Sequence, residues 1–469
     1  MLQKKQVEFQ IRFIWWALGV AIFAGFALGA HVASVIGLDF PLSRGYHAFV
    51  QTHGHLQLVG WAGLFILGVS LHFIPRLAGV PIARPKRIDL VLYFITAGLS
   101  IRFLSHSILP YLTDSFLVSS VQILILLSTI LELIGIILYF VLIVETILKV
   151  HNFSQRAALL SVRPFFAMML SGWFLYGLLM VILGWNLVFQ NKTVMDPEWN
   201  EFGLQMFITL VLLPVAFAFS VRMFPLYLRL PVVDWSVKKL ALVYFAAVCS
   251  QILPTLPPIL SMDASWPLYL SNAGRLLKSA AILWFIWKID VLTRWREPWT
   301  IQRLLHPGVN RRPTREGMPD YGEFGYFEYL IYAAYSWLLF GAVVEIIVGF
   351  SVFTNWNAAI STDAVRHIYL LGFITHLILG MSVRMIPGFI KKKKVARPGL
   401  VMATFWLASL AVVSRIVPLL LPSELFKLLP GTVVVMQTAF GFSGLFGMAA
   451  IVCLAINLIK TAEQVNQVT

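Results

Sequence analysis

Apolar stretches of about 20 residues recur along the whole chain, and they restrict the possible folds more than any other feature. A stretch of this length can cross the hydrocarbon core of a bilayer as an α-helix. Charged residues make up only 12% of the 469 residues, whereas a soluble domain usually carries about 25%. The sequence therefore predicts an all-α membrane protein, and a large soluble core is excluded.

Windows of high hydropathy predict about twelve transmembrane helices. The predicted spans are 13–36, 55–75, 88–111, 116–148, 164–189, 203–225, 239–262, 270–291, 329–354, 366–387, 400–421 and 429–458.

The formal net charge of +15 raises the possibility of nucleic-acid binding. Lys and Arg are instead concentrated in every second loop between the predicted spans, as they are in the cytoplasmic loops of membrane proteins. We therefore expect no nucleic-acid partner, and we place both termini in the cytoplasm. The two cysteines, Cys249 and Cys453, lie in separate apolar runs, which disfavours a structural disulfide or a thiolate zinc site.

Three segments of the chain align without gaps, at 53–75, 203–225 and 365–387. A proline and a basic residue three positions before it coincide in all three segments. The alignment predicts three pseudo-threefold repeats of four helices within a single membrane domain, residues 1–469. The predicted repeats are approximately 13–150, 160–292 and 328–460, with a cytoplasmic linker at 293–327.

Two histidines occupy the same position in this alignment, His55 and His367, and Gln205 takes the third position. Two imidazoles at one depth suit a six-coordinate haem iron. His376 follows His367 by nine residues, which is about 180° around an α-helix, so we expect the two side chains to serve different sites. The sequence predicts His55 and His367 as ligands of haem b.

Further histidines and methionines in these segments leave open whether the protein also binds copper. His53 diverges from His55 by about 200° on a helix, so it would serve a second site or the loop that holds His47. Imidazole and thioether groups can bind copper. The candidates are His47, His53, His376, Met381 and Met385, although methionine in a span is usually a packing residue.

Arginines form a further polar layer in the helices that follow, at Arg102 and Arg415. A charged side chain at the centre of a bilayer costs about 2.5–3.5 kcal/mol, so both should face the interior of the bundle or water. One interpretation is structural, with each arginine paired to carbonyls or to an acid such as Glu132 or Glu345. The other is that each binds a haem propionate or another anion.

Three segments of the sequence resemble the NnrS family of bacterial membrane proteins. The string HGHLQLVGW (53–61) is similar to that family's WHAHEMLFGF motif, and residues 366–388 resemble its RHALTVGFxTxMILGMxxR segment. Residues 221–230 resemble its GGRVIPFF segment, and Arg102 and Arg415 lie near arginines that the family also carries. The resemblance implies a haem- and copper-containing protein of the bacterial inner membrane that is linked to nitric oxide metabolism.

The resemblance carries over to individual residues with two departures. His53, His55 and His367 match histidines of the family motifs, whereas His376 stands where the family usually has a small polar residue. Residues 56–57 are Leu-Gln where the family has Glu-Met, which puts any role of that glutamate in doubt here.

The span layout also resembles subunit I of the haem–copper oxidases. Their additional histidines for a copper centre are missing here, because the sixth predicted span has no histidine and the seventh has no His-His pair. Arg275 and Lys278 in the eighth span are not expected to provide a polar proton path. Oxygen reduction with proton pumping is therefore disfavoured.

Three functions follow from these patterns. The leading hypothesis is a haem b protein that binds a small ligand such as nitric oxide, or transfers electrons, near the periplasmic face. The second is a respiratory subunit that passes electrons between quinol and a periplasmic partner. The third is a transporter with structural histidines, which three parallel repeats disfavour because many transporters use inverted repeats.

Overall fold

The computed structural model describes residues 8–151, 157–295, 322–356, 358, 360–421 and 430–464. All regular secondary structure in these ranges is helical. The long helices are α1 Arg12–Leu38, α2 Ser43–Ala78, α3 Arg87–Tyr111, α4 Ser115–Leu148, α5 Leu159–Phe189, α6 Pro197–Tyr227, α7 Val237–Thr255, α8 Trp266–Ile289, α9 Phe327–Phe353, α10 Thr362–Phe389, α11 Pro398–Leu420 and α12 Gly431–Glu463.

Eleven of these helices are long and apolar enough to cross a membrane, which makes the chain a multi-pass membrane protein. A helix satisfies all internal backbone hydrogen bonds within one segment, as the hydrocarbon core requires. The exception is α8, whose 24 residues include the cations Arg275, Lys278 and Lys288. A twelfth span at α8, the three-repeat layout and the cytoplasmic termini stay predictions. Most of the predicted linker 293–327 lies outside the described residues.

The predicted span ends differ most from the structure at α2 and α7. The second helix begins at Ser43 rather than His55, so His47 lies within a helix and its predicted position in a loop is wrong. Its first turns are polar and therefore score low in a hydropathy window. The seventh helix ends at Thr255 rather than at residue 262, because Pro254 and Pro257 cannot continue the helical hydrogen bonds.

Polar side chains mark the starts of several helices. Asp196 accepts hydrogen bonds from the backbone N–H groups of Glu198 and Trp199, and Pro197 occupies the first turn of α6. Ser361 accepts from the N–H of Asp363 at the start of α10. Such caps satisfy amide groups that a helix cannot satisfy internally. The sequence therefore determines locally where α6 and α10 begin.

The chain divides into two compact units. Unit 1 contains residues Met1–Pro214 and Thr255–Asp263, and unit 2 contains Val215–Pro254 and Ala264–Thr469. In unit 1, α3 packs along α4, and α2 contacts both α1 and α3. In unit 2, α11 packs along α12, α8 contacts α7 and α9, and α10 contacts α9, α11 and α12. Each unit is described separately below.

The three segments that align in the sequence lie in the three most buried of the eleven candidate spans. The buried share of the most apolar window is 83% for α2, 72% for α6 and 83% for α10, against 56% or less for the others. Gly68 of α2 and Gly380 of α10 coincide in the alignment. A Cβ at either position would approach within 2.7 Å of Phe13 on α1 or Ile331 on α9. A glycine at this position therefore permits close contact between the helices.

A π-helical segment interrupts each of these three helices. It spans Leu56–Gly63 in α2, Ile208–Leu212 in α6 and Ile368–Thr375 in α10. In the sequence alignment the first and third segments begin and end at equivalent residues, and the second falls inside them. Such segments are rare and occur frequently at functional sites. His55 and His367 are each the residue immediately before a π-helical segment.

Candidate functional site

Both nitrogens of His55 have polar neighbours in the interior of unit 1. Nδ1 lies 3.0 Å from the Tyr176 hydroxyl on α5, and Nε2 lies 2.7 Å from Glu132 Oε2 on α4. The His55 and Tyr176 rings also stack, with centroids 6.0 Å apart. His55 is 2% exposed and Glu132 is 3% exposed. The predicted haem ligand is thus held in a fixed orientation by two other helices.

Gly98 on α3 allows Glu132 to lie in this position. A Cβ on residue 98 would fall 2.5 Å from Glu132 Cγ and 2.8 Å from the Ser128 carbonyl oxygen. Any side chain larger than hydrogen would therefore push α4 away from α3. The small residue on one helix positions the acid on the next.

Arg102 is completely buried one turn along α3 from Gly98. Its Nη2 lies 3.0 Å from the Met195 sulfur, and within the described part of the chain Nε and Nη1 have no hydrogen-bond partner. Glu132 lies within electrostatic range of the guanidinium, but its Oε2 accepts from His55 and its Oε1 has no partner among the described residues. The predicted pairing of Arg102 with Glu132 is therefore not formed as a hydrogen bond.

His106 lies one further turn along α3 and is also fully buried. Its Nδ1 shares a hydrogen bond of 3.1 Å with the Thr52 hydroxyl on α2. The backbone of Thr193 is close to the ring. We refer to His55, Arg102, His106, Glu132 and Tyr176 as the unit 1 polar cluster.

The segment between α5 and α6 closes over this cluster. Gln51 on α2 holds Met195 by two hydrogen bonds, one of 2.8 Å to its carbonyl oxygen and one of 3.0 Å from its N–H. Gln122 on α4 donates to the Asn191 side chain and to the Lys192 carbonyl oxygen. These contacts fix the backbone of the segment to α2 and α4 and place Met195 beside Arg102.

His367 and Arg415 share one acid in unit 2. His367 Nδ1 donates to the Asp363 backbone carbonyl at 2.9 Å and lies 3.2 Å from Asp363 Oδ1. Arg415 Nη2 donates to Asp363 Oδ2 at 3.1 Å, and its guanidinium lies over the Phe440 ring at 4.2 Å. The side chains of Asp363, His367 and Arg415 are 37%, 19% and 12% exposed. The predicted residues His367 and Arg415 are thus brought together by an acid that the sequence reasoning did not propose.

His53 and His376 both donate to carbonyl groups in or at the end of π-helical segments. His53 Nδ1 donates to the Gly25 carbonyl at 2.8 Å, and His376 Nδ1 donates to the Leu371 carbonyl at 3.0 Å. Where the regular backbone hydrogen bonds of a helix are interrupted, a side chain can donate a hydrogen bond to a freed carbonyl group. The angle of about 180° predicted between His367 and His376 assumed a continuous α-helix, and the intervening π-helical turns remove that assumption. Neither contact shows a metal site.

Three of the predicted candidates for copper are histidines, His47, His53 and His376. Among the residues with described positions, no group of three or more His, Cys, Asp or Glu side chains could hold a metal ion. His47 is exposed, and its ring packs edge-on against Tyr46 at 5.5 Å. His376 is fully buried, and its Nε2 has no partner among these residues. A haem iron needs only one or two protein ligands, so this result bears on copper more than on haem.

Sequence reasoning missed a buried ion pair in unit 2. Lys278 Nζ on α8 lies 2.7 Å from Glu345 Oε1 on α9, and the Tyr369 hydroxyl on α10 donates to Glu345 Oε2 at 2.6 Å. Lys278 and Glu345 are 2% and 4% exposed. Two opposite charges in neighbouring apolar spans were a signal for this pair, but only the packing of α8 against α9 identifies them as partners.

The hydrogen bonds of His55 and His367 can be compared with those that a haem-binding histidine needs. A metal-bound histidine usually donates its second ring N–H to a carbonyl or carboxylate. His367 meets this requirement, because the Asp363 carbonyl occupies Nδ1. At His55 the Tyr176 hydroxyl can orient Nδ1, but Glu132 lies where an iron bound to Nε2 would have to be. The set fits haem if the Glu132 carboxylate turns away.

Comparison with known proteins gives a fold but no family. The sequence matches no protein-family model and no curated protein. Among solved structures, the chain is similar to one from a cryo-EM study of a haem–copper terminal oxidase dimer, with a TM-score of 0.66. The match covers 97% of this chain and 83% of the other, at 12% sequence identity. The chain therefore has a fold like that of a haem–copper terminal oxidase chain.

Proposed function

We propose that the chain is a haem b protein of the bacterial inner membrane, with His55 and His367 as the iron ligands. The observation that carries this proposal is the shared position of the two histidines. Each directly precedes a π-helical segment in a highly buried helix, and the two segments coincide in the sequence alignment. The oxidase-like fold supports a redox role.

The residues around each histidine would prepare it for ligation. Tyr176 and the Asp363 carbonyl would hold the two Nδ1 atoms, which leaves each Nε2 for iron once Glu132 has moved. Bound haem b would supply one-electron redox chemistry. Iron with two histidine ligands has no open position, which favours electron transfer over binding of a gas. Copper stays a secondary proposal.

The biological setting admits two candidates. The NnrS-like motifs favour a role in nitric oxide or nitrosative-stress metabolism, with nitric oxide or a related small molecule as ligand. The oxidase-like fold favours a subunit that accepts electrons from quinol and passes them to other respiratory subunits. Both place the protein in the lipid bilayer with cytoplasmic termini, as the charges of the loops predict.

Optical spectroscopy of the purified full-length protein tests haem binding. A pyridine haemochrome assay with metal analysis should detect haem b, and reduction should produce the bands of six-coordinate iron. His55→Ala and His367→Ala should each remove those bands, whereas His151→Ala, an exposed histidine outside the site, should not. Absence of haem, or a spectrum unchanged in His55→Ala, would contradict the proposal.

Adding a quinol analogue or nitric oxide to the same preparation distinguishes the two proposed biological roles. Haem reduction by a quinol analogue, together with co-purifying respiratory subunits, would support the electron-transfer subunit. A spectral change on adding nitric oxide to the reduced protein, without quinol reduction, would support the nitric oxide role. A chain that lacks haem and moves a solute in vesicles would favour the transporter instead.

A further inference from the structure

The most unusual group in the molecule is the Arg102 guanidinium. It has no solvent exposure, and its single hydrogen bond goes to the neutral sulfur of Met195. Two of its three nitrogens have no partner within the described ranges. A buried charge is normally paired or fully hydrogen-bonded, because leaving it unsatisfied costs several kcal/mol. An unsatisfied buried group of this kind indicates a water molecule or an ion beside it.

The neighbours of Arg102 do not supply the missing acceptors. Glu132 gives one carboxylate oxygen to His55 and neither to Arg102. His106, one turn further along α3, is bonded through Nδ1 to Thr52. Gln51 holds the backbone of Met195 by two hydrogen bonds, so that backbone is not available as an acceptor for Arg102. Among the described residues, the buried groups around Arg102 therefore leave two guanidinium nitrogens without an acceptor.

Arg415, the arginine predicted beside His367 in unit 2, has a different partner. Arg415 donates to the carboxylate of Asp363 at 3.1 Å. Arg102 has no such carboxylate in hydrogen-bonding contact, although it is more deeply buried than Arg415. An anion of external origin would supply the missing acceptor.

We propose that Arg102, with His106 and Met195 beside it, forms a binding site for a small monovalent inorganic anion such as nitrite. The anion accepts hydrogen bonds from Arg102 Nε and Nη1. One guanidinium, with the Glu132 carboxylate in electrostatic range, favours a single negative charge, because a divalent anion would carry a larger desolvation cost and stronger repulsion. The site is described for the protein in which Glu132 accepts from His55 Nε2, that is, without haem at His55.

Ligand-induced stabilisation of the full-length protein in detergent tests this proposal. The thermal unfolding midpoint is measured by tryptophan fluorescence while nitrite, nitrate or chloride replaces gluconate at constant ionic strength. A ligand that binds only the folded state stabilises it by an amount that grows with the logarithm of its concentration above the dissociation constant. We expect the midpoint to rise with nitrite concentration in this way and not to rise with sulfate. No rise with any monovalent anion, or an equal rise with sulfate, would overturn the proposal.

Two variants locate the site. Arg102→Lys keeps the positive charge but lacks Nε and Nη1, and Arg102→Gln lacks the charge as well. Each should weaken nitrite binding at least about tenfold, since hydrogen bonds to charged groups are among the stronger ones. Arg384→Gln is the control, because that guanidinium lies over the Phe324 ring at 4.2 Å in unit 2. It should leave nitrite binding unchanged.

A direct spectroscopic measurement keeps the test valid if a variant fails to fold. Infrared difference spectra with isotope-labelled nitrite on the wild-type protein should show an N–O stretch displaced from its value in water. Nitrite that shows only its aqueous frequency would mean that water alone fills the space beside Arg102. Equal nitrite affinity in folded Arg102→Lys and wild-type protein would also contradict the proposal. Haem content is measured separately, so failure here is distinct from failure of the haem proposal.

Discussion

His55 with Arg102 in unit 1 and His367 with Arg415 in unit 2 are related pairs in very different surroundings. In unit 1 the histidine and the arginine are both buried, and the acid Glu132 comes from a different helix and binds only the histidine. In unit 2 the acid Asp363 lies one turn before the histidine on the same helix and binds both partners.

The position of the acid decides what each arginine can do. At Arg415 the guanidinium donates to a carboxylate. At Arg102 the nearby carboxylate accepts from the histidine instead, and two guanidinium nitrogens have no partner among the described residues. Two histidines that align in the sequence can therefore lie beside different chemistry, because a third residue from outside the aligned segments changes the partners.

The largest expected effect is the loss of bound haem on replacing His367, in contrast to replacing the acid Asp363. His367→Ala should abolish the absorbance of bound haem, because the iron loses a ligand. Asp363→Ala should retain most of it, because the backbone carbonyl of residue 363 still accepts from His367 Nδ1. Haem content per protein, from the pyridine haemochrome assay, gives the comparison. Equal loss in both variants would mean that the carboxylate itself holds the ligand.

Removal of the two acids should have unequal effects on stability. Glu132→Leu breaks a buried pair with His55 and should cost about 3–5 kcal/mol. Asp363→Leu removes a partly exposed pair and should cost about 1 kcal/mol or less. Unfolding midpoints of both variants, measured without added haem, provide the test. Similar shifts in the two proteins would contradict the difference in burial described above.

Unit 2 has its own deeply buried acid, and its partner is a lysine. Lys278→Met leaves the Glu345 carboxylate without its counter-charge and should also cost about 3–5 kcal/mol. The double variant Lys278→Met with Glu345→Leu should regain most of this loss, because two apolar side chains need no partner. A double-mutant cycle of unfolding midpoints measures the coupling. No recovery in the double variant would indicate that Tyr369 depends on the carboxylate for its own position.

An effect smaller than the loss of a buried ion pair concerns the approach of α3 to α4 in unit 1. Gly98→Ala places a methyl group 2.5 Å from Glu132 Cγ and should cost about 1–3 kcal/mol. Gly388→Ala on α10 is a matched control, because a Cβ there meets no atom within 4 Å. Its unfolding midpoint should stay close to that of the wild type. A neutral Gly98→Ala would show that α4 can shift without disturbing the polar cluster.

The sequence alone predicted the transmembrane spans and aligned His55 with His367. It did not predict which side chains these histidines contact. Hydropathy windows found the twelve long helices of the described residues, because each helix satisfies its own backbone and reveals itself in its own composition. They missed the polar first turns of α2, where the windows see no apolar run. The sequence left the partner of Arg102 open, because only the packing of the helices shows that Glu132 accepts from His55 instead.

By itself, the sequence determined that this chain is a multi-pass helical membrane protein, and it singled out His55 and His367 by their alignment. These properties depend on composition and spacing along one segment at a time. The tertiary structure decided that Glu132 binds His55, that Asp363 joins His367 to Arg415, and that Lys278 binds Glu345. His55 and Glu132 are 77 residues apart. Only the packing of separate helices brings such groups within hydrogen-bond distance.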